Sequence, residues 1–282
     1  MPGKVNDNSL EINRLGDDTF AREQYTDIHC HCLPAIDDGP ATMSEALAIC
    51  RALLDEGITT VIATPHQLGR FSECNEAPQI REAVSVINEE LKRNDIAINI
   101  VPGADVRVDE RICQLLEEDK VLTLADGGKY ILLELPHEVL IDIGPLIADL
   151  ASMGIRVILS HPERHHGITK EPDILLKWLE CSAHLQVTAG SLLGAFGTSV
   201  QRFAWQLLSS GWVSVVATDC HDLDGRRPCM KAAFESISDE LGETLARLVC
   251  IENPLRVLNG RDMAVYSAST RMRCDGGKPN SF

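Results

Sequence analysis

Two short pairs in this chain are the residues best suited to chemistry: His29 with His31, and Asp219 with His221. Side chains two apart on an extended chain share a face, so each pair projects two ligand-type groups the same way. His66, Asp105, Glu134 and His161 are further candidates, as is Asp37 or Asp38 in the turn Asp37-Asp-Gly-Pro40. Each alone has a plain structural use as a cap, a turn former or a buried hydrogen-bonded group. Together they exceed what one ion uses, and the imidazole–carboxylate mixture suits Mn, Fe, Zn or Mg rather than a thiolate site. Two or three such ions activate water and clamp the oxygens of a transferring phosphoryl group. Asp27 shares the histidines' face and is placed to orient one of their rings. Arg164 and Arg226 follow ligand clusters, and the guanidinium fork matches phosphate geometry.

The elements that must position these groups follow from periodicity. Seven strands are expected: Tyr25–Leu33, Thr59–Thr64, Ile96–Val101, Tyr130–Leu135, Arg156–Ser160, His184–Thr188 and Val213–Thr218. Helices alternate with them. One starts near Thr42 or Ser44 and stops at Gly57; others cover Ile80–Lys92, Asp109–Glu118, Ile143–Met153, Asp173–Glu180, Val200–Ser209, Met230–Ile237 and Glu243–Ile251. Regular strand–helix alternation means parallel strands covered by helices. The expected fold is α/β, a TIM-like (β/α)7 barrel in which all strand C-terminal ends share one face. His29 to His221 then meet at that face, because every candidate sits at a strand's C-terminal end. A doubly wound open sheet is the alternative, but the Gly-rich turn it needs after the first strand is absent. Residues 25–260 form the barrel in this reading. Residues 1–24 are a loosely ordered extension and 261–282 a polar tail.

Composition narrows the function classes. The chain has 282 residues, 26 Lys and Arg against 42 Asp and Glu, and a formal net charge of −16. That balance argues against nucleic-acid or anionic-membrane binding. No apolar run is long enough to insert into a bilayer. The ten cysteines show no Cys-x-x-Cys pair and no zinc-finger spacing, and the polar segment Met1–Gln24 does not read as an export signal. The thiols are therefore expected to be reduced, small apolar fillers of a cytoplasmic protein.

Cys220 and Arg226 stand in the Cys-x5-Arg spacing of a thiolate phosphatase. A phosphate-cradling loop needs backbone N–H groups and positive potential. Asp222 and Asp224 within this one repel both phosphate and thiolate, which disfavours that chemistry. A non-catalytic module would need broken ligands. The remaining histidines, His137, His165, His166 and His184, show no partner pattern.

The motifs His29-x-His31, Asp37-Asp-Gly-Pro40, Ala63-Thr-Pro-His66, Gly103-Ala-Asp105, Leu133-Glu-Leu135, Ser160-His-Pro-Glu-Arg164, Ala189-Gly-Ser-Leu-Leu-Gly194 and Ala217-Thr-Asp-Cys-His-Asp-Leu-Asp-Gly-Arg-Arg-Pro228 stand in an order that resembles the polymerase-and-histidinol-phosphatase (PHP) family. Within it they resemble the CpsB/YwqE type, the metal-dependent protein-tyrosine phosphatases of bacterial capsule and exopolysaccharide operons. The resemblance runs from about Tyr25 to Asn259. It implies a distorted seven-stranded barrel and a site of two to three divalent ions, most often Mn. It implies hydrolysis of phosphotyrosine by attack of metal-bound hydroxide, the substrate being the phosphorylated tyrosine-rich tail of a bacterial tyrosine autokinase. Metal roles fall on His29, His31, Asp38, His66, Asp105, Glu134, His161, Asp219 and His221, and phosphate contacts on Arg164 and Arg226. Asp105 stands where the family usually carries Glu, and the shorter carboxylate bridges two ions less easily. Within the family, a small-molecule phosphatase of the histidinol-phosphate type is the alternative.

The two phosphatase chemistries separate at one sulfur. Cys220→Ser is expected to retain most turnover under the metal mechanism, whereas a thiolate nucleophile is not replaced by the far less acidic serine hydroxyl. A folded, metallated but inactive Cys220→Ser protein overturns the metal mechanism.

Overall fold

The computed structural model describes residues 24–71, 75–137 and 139–266; the expected N-terminal extension up to residue 23 and the chain after 266 lie outside them. Among the described residues nine strands run in parallel: β1 (Tyr25–Cys30), β2 (Ile58–Ala63), β3 (His66–Gln67), β4 (Asn99–Pro102), β5 (Asp105–Arg107), β6 (Tyr130–Glu134), β7 (Arg156–Ser160), β8 (His184–Thr188) and β9 (Val213–Ala217). They occupy seven positions, because β3 continues β2 and β5 continues β4 after a short interruption. Pro65 and Gly103 sit in those interruptions. Proline cannot donate to the ladder. A Cβ on Gly103 would lie 2.6 Å from Ile62 Cγ2, so only glycine allows the approach.

The interruptions split the wall into two sheets. One has the order β1-β2-β4 and the other β3-β5-β6-β7-β8-β9. Strand order therefore follows chain order, without the reversal of a doubly wound sheet. The two ends meet at a single bridge between Cys30 and Cys220. There His31 N donates to Cys220 O at 2.9 Å and Asp219 N donates to His29 O at 2.8 Å. The result is a distorted barrel rather than one closed ladder.

Asp27 is part of this seam. Its carboxylate accepts from Thr218 N at 3.0 Å and from His29 N at 3.3 Å, and also bonds the Thr218 hydroxyl. Burial raises its pKa to about 6, against the lowering effect of the Thr218 bonds.

Two apolar layers hold the wall. Ile28, Ile62, Leu132, Ile158, Val215 and Ala217 fill the barrel, with Tyr130, Leu124, Val257 and Met263 also in that cluster. The other face of the strands packs on the helices, with Cys30, Cys32, Cys50 and Cys220 all buried in that larger layer. The helix after β1, Met43–Asp55, starts at Thr42. That residue accepts from Glu45 N while Glu45 caps Thr42 N in return, a reciprocal capping box. The expected helix Glu243–Ile251 stops at Arg247 and passes through a wider turn, Leu248–Glu252, into Asn253–Leu258. No helix among the described residues is long and apolar enough to cross a membrane.

Residues 261–266 differ from a polar tail. Met263 is buried in the barrel-filling cluster. Its N–H donates to Tyr130 Oη at 3.1 Å, while that hydroxyl donates to Arg261 O at 3.0 Å. Met263→Ala is expected to destabilise the protein by on the order of 2 kcal/mol through a cavity next to Tyr130. A urea-unfolding midpoint unchanged from wild type contradicts that role.

Candidate metal centre

Backbone turns at two strand ends aim ligands into the mouth. His161 and Asp219 both have left-handed backbones, with φ of 33° and 52°. That conformation is costly for residues other than glycine and concentrates at functional sites. At β1, the pairing register slips between Asp27 and Cys30. Such an irregularity re-aims side chains. Ile28 lies within the barrel while His29 and His31 face each other at its mouth, Nε2 to Nε2 at 3.3 Å.

The Nδ1 atom of each ring faces an acceptor of its own. His31 Nδ1 donates to Asp37 Oδ2 at 2.6 Å, and His29 Nδ1 donates to Gln186 Oε1 at 2.9 Å. His221 Nδ1 likewise donates to the Asp219 backbone carbonyl at 3.1 Å. A carboxylate or carbonyl oxygen only accepts, so in the neutral ring each of these bonds places the proton on Nδ1 and leaves Nε2 as a lone pair.

The carboxylates converge on the same space. Asp219 Oδ1 is 3.2 Å from His29 Nε2 and 3.5 Å from His31 Nε2. Asp105 Oδ2 approaches His29 Nε2 at 3.7 Å and His66 Nδ1 at 3.4 Å. Asp38 Oδ1 lies 3.3 Å from His66 Nε2 and 3.4 Å from His221 Nε2. Glu134 lies 3.7 Å from His66 Nδ1 and 3.8 Å from His161 Nε2.

Four overlapping groups bring donor atoms within 4.8 Å of one another: His31, Asp38, His66 and His221; His29, Asp105 and His161; His29, His31 and Asp219; His66, Asp105 and Glu134. All nine residues expected as ligands thus meet in one cluster. Both Asp105 carboxyl oxygens, Asp219 Oδ1 and His221 Nε2 are buried without a hydrogen-bond partner. Buried anionic oxygens and bare imidazole nitrogens together are a donor set that a divalent cation satisfies.

Protonation follows the same field. Burial and the neighbouring His221 hold the His31 pKa down at about 3, outweighing Asp37. Burial and Arg164 keep His161 well below its ordinary value. His66 is raised to about 10: burial opposes the proton, but Asp105 and Asp38 outweigh it. Burial would lift Asp219, yet Arg164, His29 and Arg226 hold it well below the usual carboxylate range.

The two arginines expected at the phosphate stand on the open side of Asp219. Arg164 Nη2 and Arg226 Nη2 each lie 2.6 Å from Asp219 Oδ2. Both Nε atoms are buried and unpartnered. Both side chains line a cavity of about 650 Å3, together with His66, Glu134 and His161 from the cluster.

Several positions depart from expectation or were missed. Asp27 bonds the backbone of His29 and Thr218, not a histidine ring. Asp37 and Gln186 hold the rings instead. The choice between Asp37 and Asp38 resolves into two tasks, since Asp37 supports His31 while Asp38 faces His66 and His221. Arg107 ties down Glu134, with Nη2 at 3.0 Å from Oε2. Glu163 accepts from Thr188 N at 3.0 Å and from Ser191 Oγ at 2.7 Å, joining the loops after β7 and β8. Of the four histidines without a pattern, His137 reaches Glu134 at 3.4 Å and lines the cavity. His165 donates to Pro136 O at 2.7 Å. Cys220 is fully buried on the helix side of the wall, so the Cys-x5-Arg spacing does not form a phosphate loop.

Comparison with known proteins adds to this geometry. Residues 25–259 match the profile of a family described as capsular polysaccharide synthesis, CpsB/CapC. The tyrosine-protein phosphatase YwqE of Bacillus subtilis is 34% identical over 220 residues, which cover 78% of this chain and 86% of the relative. The tyrosine-protein phosphatase CpsB of Streptococcus pneumoniae is 25% identical over 238 residues, covering 82% and 97%. A crystal structure from the work on YwqE and CpsB, described as unique metal-dependent tyrosine phosphatases, superposes with a TM-score of 0.81 at 33% identity, over 86% of this chain and 97% of that one. An organophosphorus hydrolase from Deinococcus radiodurans, at 16% identity and a TM-score of 0.53 over 84% and 93%, shares the fold alone.

Ring support is testable apart from turnover. Asp37→Asn and Gln186→Leu are each expected to lower divalent-metal affinity by about 10- to 100-fold while the fold is retained. Metal retention during dialysis against graded chelator, with circular dichroism alongside, measures it. Wild-type retention in both variants removes Asp37 and Gln186 from the supporting shell.

Proposed function

Since the chain belongs to the CpsB/CapC family of capsular polysaccharide synthesis, we propose that it is a metal-dependent phosphatase of protein phosphotyrosine. One observation carries the reading. A buried set of bare imidazole nitrogens and unpartnered carboxylate oxygens lies beside two arginines with unpartnered guanidinium donors, all at one cavity.

His29, His31, Asp38, His66, Asp105, Glu134, His161, Asp219 and His221 would hold two or three divalent ions, with Mn the best match among Mn, Fe, Zn and Mg. Such ions supply a Lewis acid for phosphoryl oxygens and a water of lowered pKa. The chain's own residues do the rest. Arg164 and Arg226 bind the equatorial oxygens of the phosphate and orient it against the cluster. Asp219 sets their position by holding both guanidinium groups on its outer oxygen. Phe196 supports Arg164 from beneath, its ring centroid 4.8 Å from the guanidinium carbon. The buried site limits water, which strengthens these contacts.

The substrate in this reading is the phosphorylated tyrosine-rich tail of a bacterial tyrosine autokinase, met in the cytoplasm.

An activity panel tests the reading: a phosphotyrosine peptide, histidinol phosphate and a generic aryl phosphate, with Mn and with chelator. Hydrolysis of the peptide is expected with Mn and its loss with chelator. Arg164→Lys is expected to reduce the rate on the order of 10²-fold at unchanged metal content, since lysine keeps the charge but loses the fork. Full activity in a verified metal-free preparation, or preference for histidinol phosphate, overturns the proposal.

A further inference from the structure

Most of the residues lining the cavity over the cluster are charged or polar. Apart from glycine, the apolar residues among them are Leu68, Phe71 and Pro136. The Phe71 ring lies parallel to the His66 imidazole, at 10° and 5.5 Å between centroids.

The backbone that presents Phe71 is built for the purpose. Leu68 and Gly69 are consecutive left-handed residues, with φ of 64° and 57°. Leucine adopts that conformation only where its surroundings force it. Gly69 packs on the Arg107 stem: a Cβ there would lie 3.1 Å from Arg107 Cγ. Arg107 is itself fixed, by Glu134 at 3.0 Å and by donation to Leu135 O at 2.7 Å. A strained turn thus rests on a pinned support and carries an aromatic ring to the edge of the cluster. Arg70 lies over that ring, its guanidinium carbon 4.7 Å from the centroid. Its side chain is 66% exposed and bonds Asp38 at 2.6 Å.

We infer that Phe71 determines specificity, selecting aryl over alkyl phosphomonoesters by packing against the substrate's tyrosine ring. The inference rests on the phosphatase reading above. In phosphotyrosine one ester oxygen separates phosphorus from the ring. A phosphate held by Arg164 and Arg226 therefore leaves its ring inside the same cavity, where Phe71, Leu68 and Pro136 are the apolar side chains. Phosphoserine offers a methylene at that point and leaves the wall uncovered. The phosphate is the same in both, so discrimination in binding comes from the group it carries.

Two non-hydrolysable probes test this on the Mn-loaded full chain: phenylphosphonate and methylphosphonate, measured as competitive inhibitors of phosphotyrosine-peptide hydrolysis. Phe71→Ala is expected to weaken phenylphosphonate by roughly 3- to 10-fold relative to methylphosphonate, the scale of one lost aromatic contact. Phe71→Tyr is expected to restore the ratio. If Phe71 only braces His66, both inhibitors weaken together and metal content falls, and the inference is wrong. Wild-type protein that hydrolyses no phosphotyrosine peptide overturns the underlying phosphatase reading and this inference with it. An unchanged inhibitor ratio with wild-type hydrolysis intact overturns this inference alone.

Discussion

Asp219 is a carboxylate at 1% exposure whose two oxygens serve different neighbours. Oδ1 faces His29 and His31, while Oδ2 receives Arg164 and Arg226. An ionised carboxylate this deep is costly unless cations surround it. The arginines meet that need on one side and leave the other oxygen toward the histidine cluster. One side chain thereby sets the spacing between the place where metal donors gather and the two arginines proposed to bind the phosphate. The seam between β1 and β9 depends on the same segment, because Asp219 N donates to His29 O and Thr218 is held by Asp27.

The site is expensive to fold. Its buried imidazoles and carboxylates lack the full partner set that ordinary buried polar groups have. Left-handed backbones at His161, Asp219 and Leu68 add local strain around the same mouth. What offsets these costs is the apolar packing on either face of the wall, from Ile28 and Leu132 inside to Cys220 and Trp178 outside. Stability is concentrated in the barrel wall and floor, and the mouth is left reactive.

Support around the ligands follows one logic. Asp37 and Gln186 each fix a ring by its Nδ1 and expose Nε2. Arg107 and Glu163, in turn, fix a carboxylate and a loop. These partners lie on β5, β8 and the loops after β1 and β7, so the geometry of the centre is a property of the whole barrel mouth.

The amino-acid order alone was enough for the alternation of strands and helices, and hence for the barrel. A two-residue period and a Gly- or Pro-marked stop are local signals that read without tertiary context. Eight of the nine ligand candidates were legible for the same reason, since each stands at or near a strand's end and parallel strands end on one face, whereas the order left Asp37 and Asp38 as alternatives and only the family resemblance singled out Asp38. What the order could not convey was contact between distant segments. Gln186 looks like any polar residue within a strand, and only the barrel brings it to His29, 157 positions away. Asp37 and Asp38 are neighbours in the chain, and the fold of their turn alone assigns one to His31 and the other to His66 and His221. Asp27 was placed with the histidines by strict alternation, and the register slip at β1 turned it to the seam instead. Met263 sat in a polar segment, yet the barrel needed an apolar group beside Tyr130. Composition and period act through neighbours in the chain, whereas ring orientation, charge pairing and seam closure act through neighbours in space.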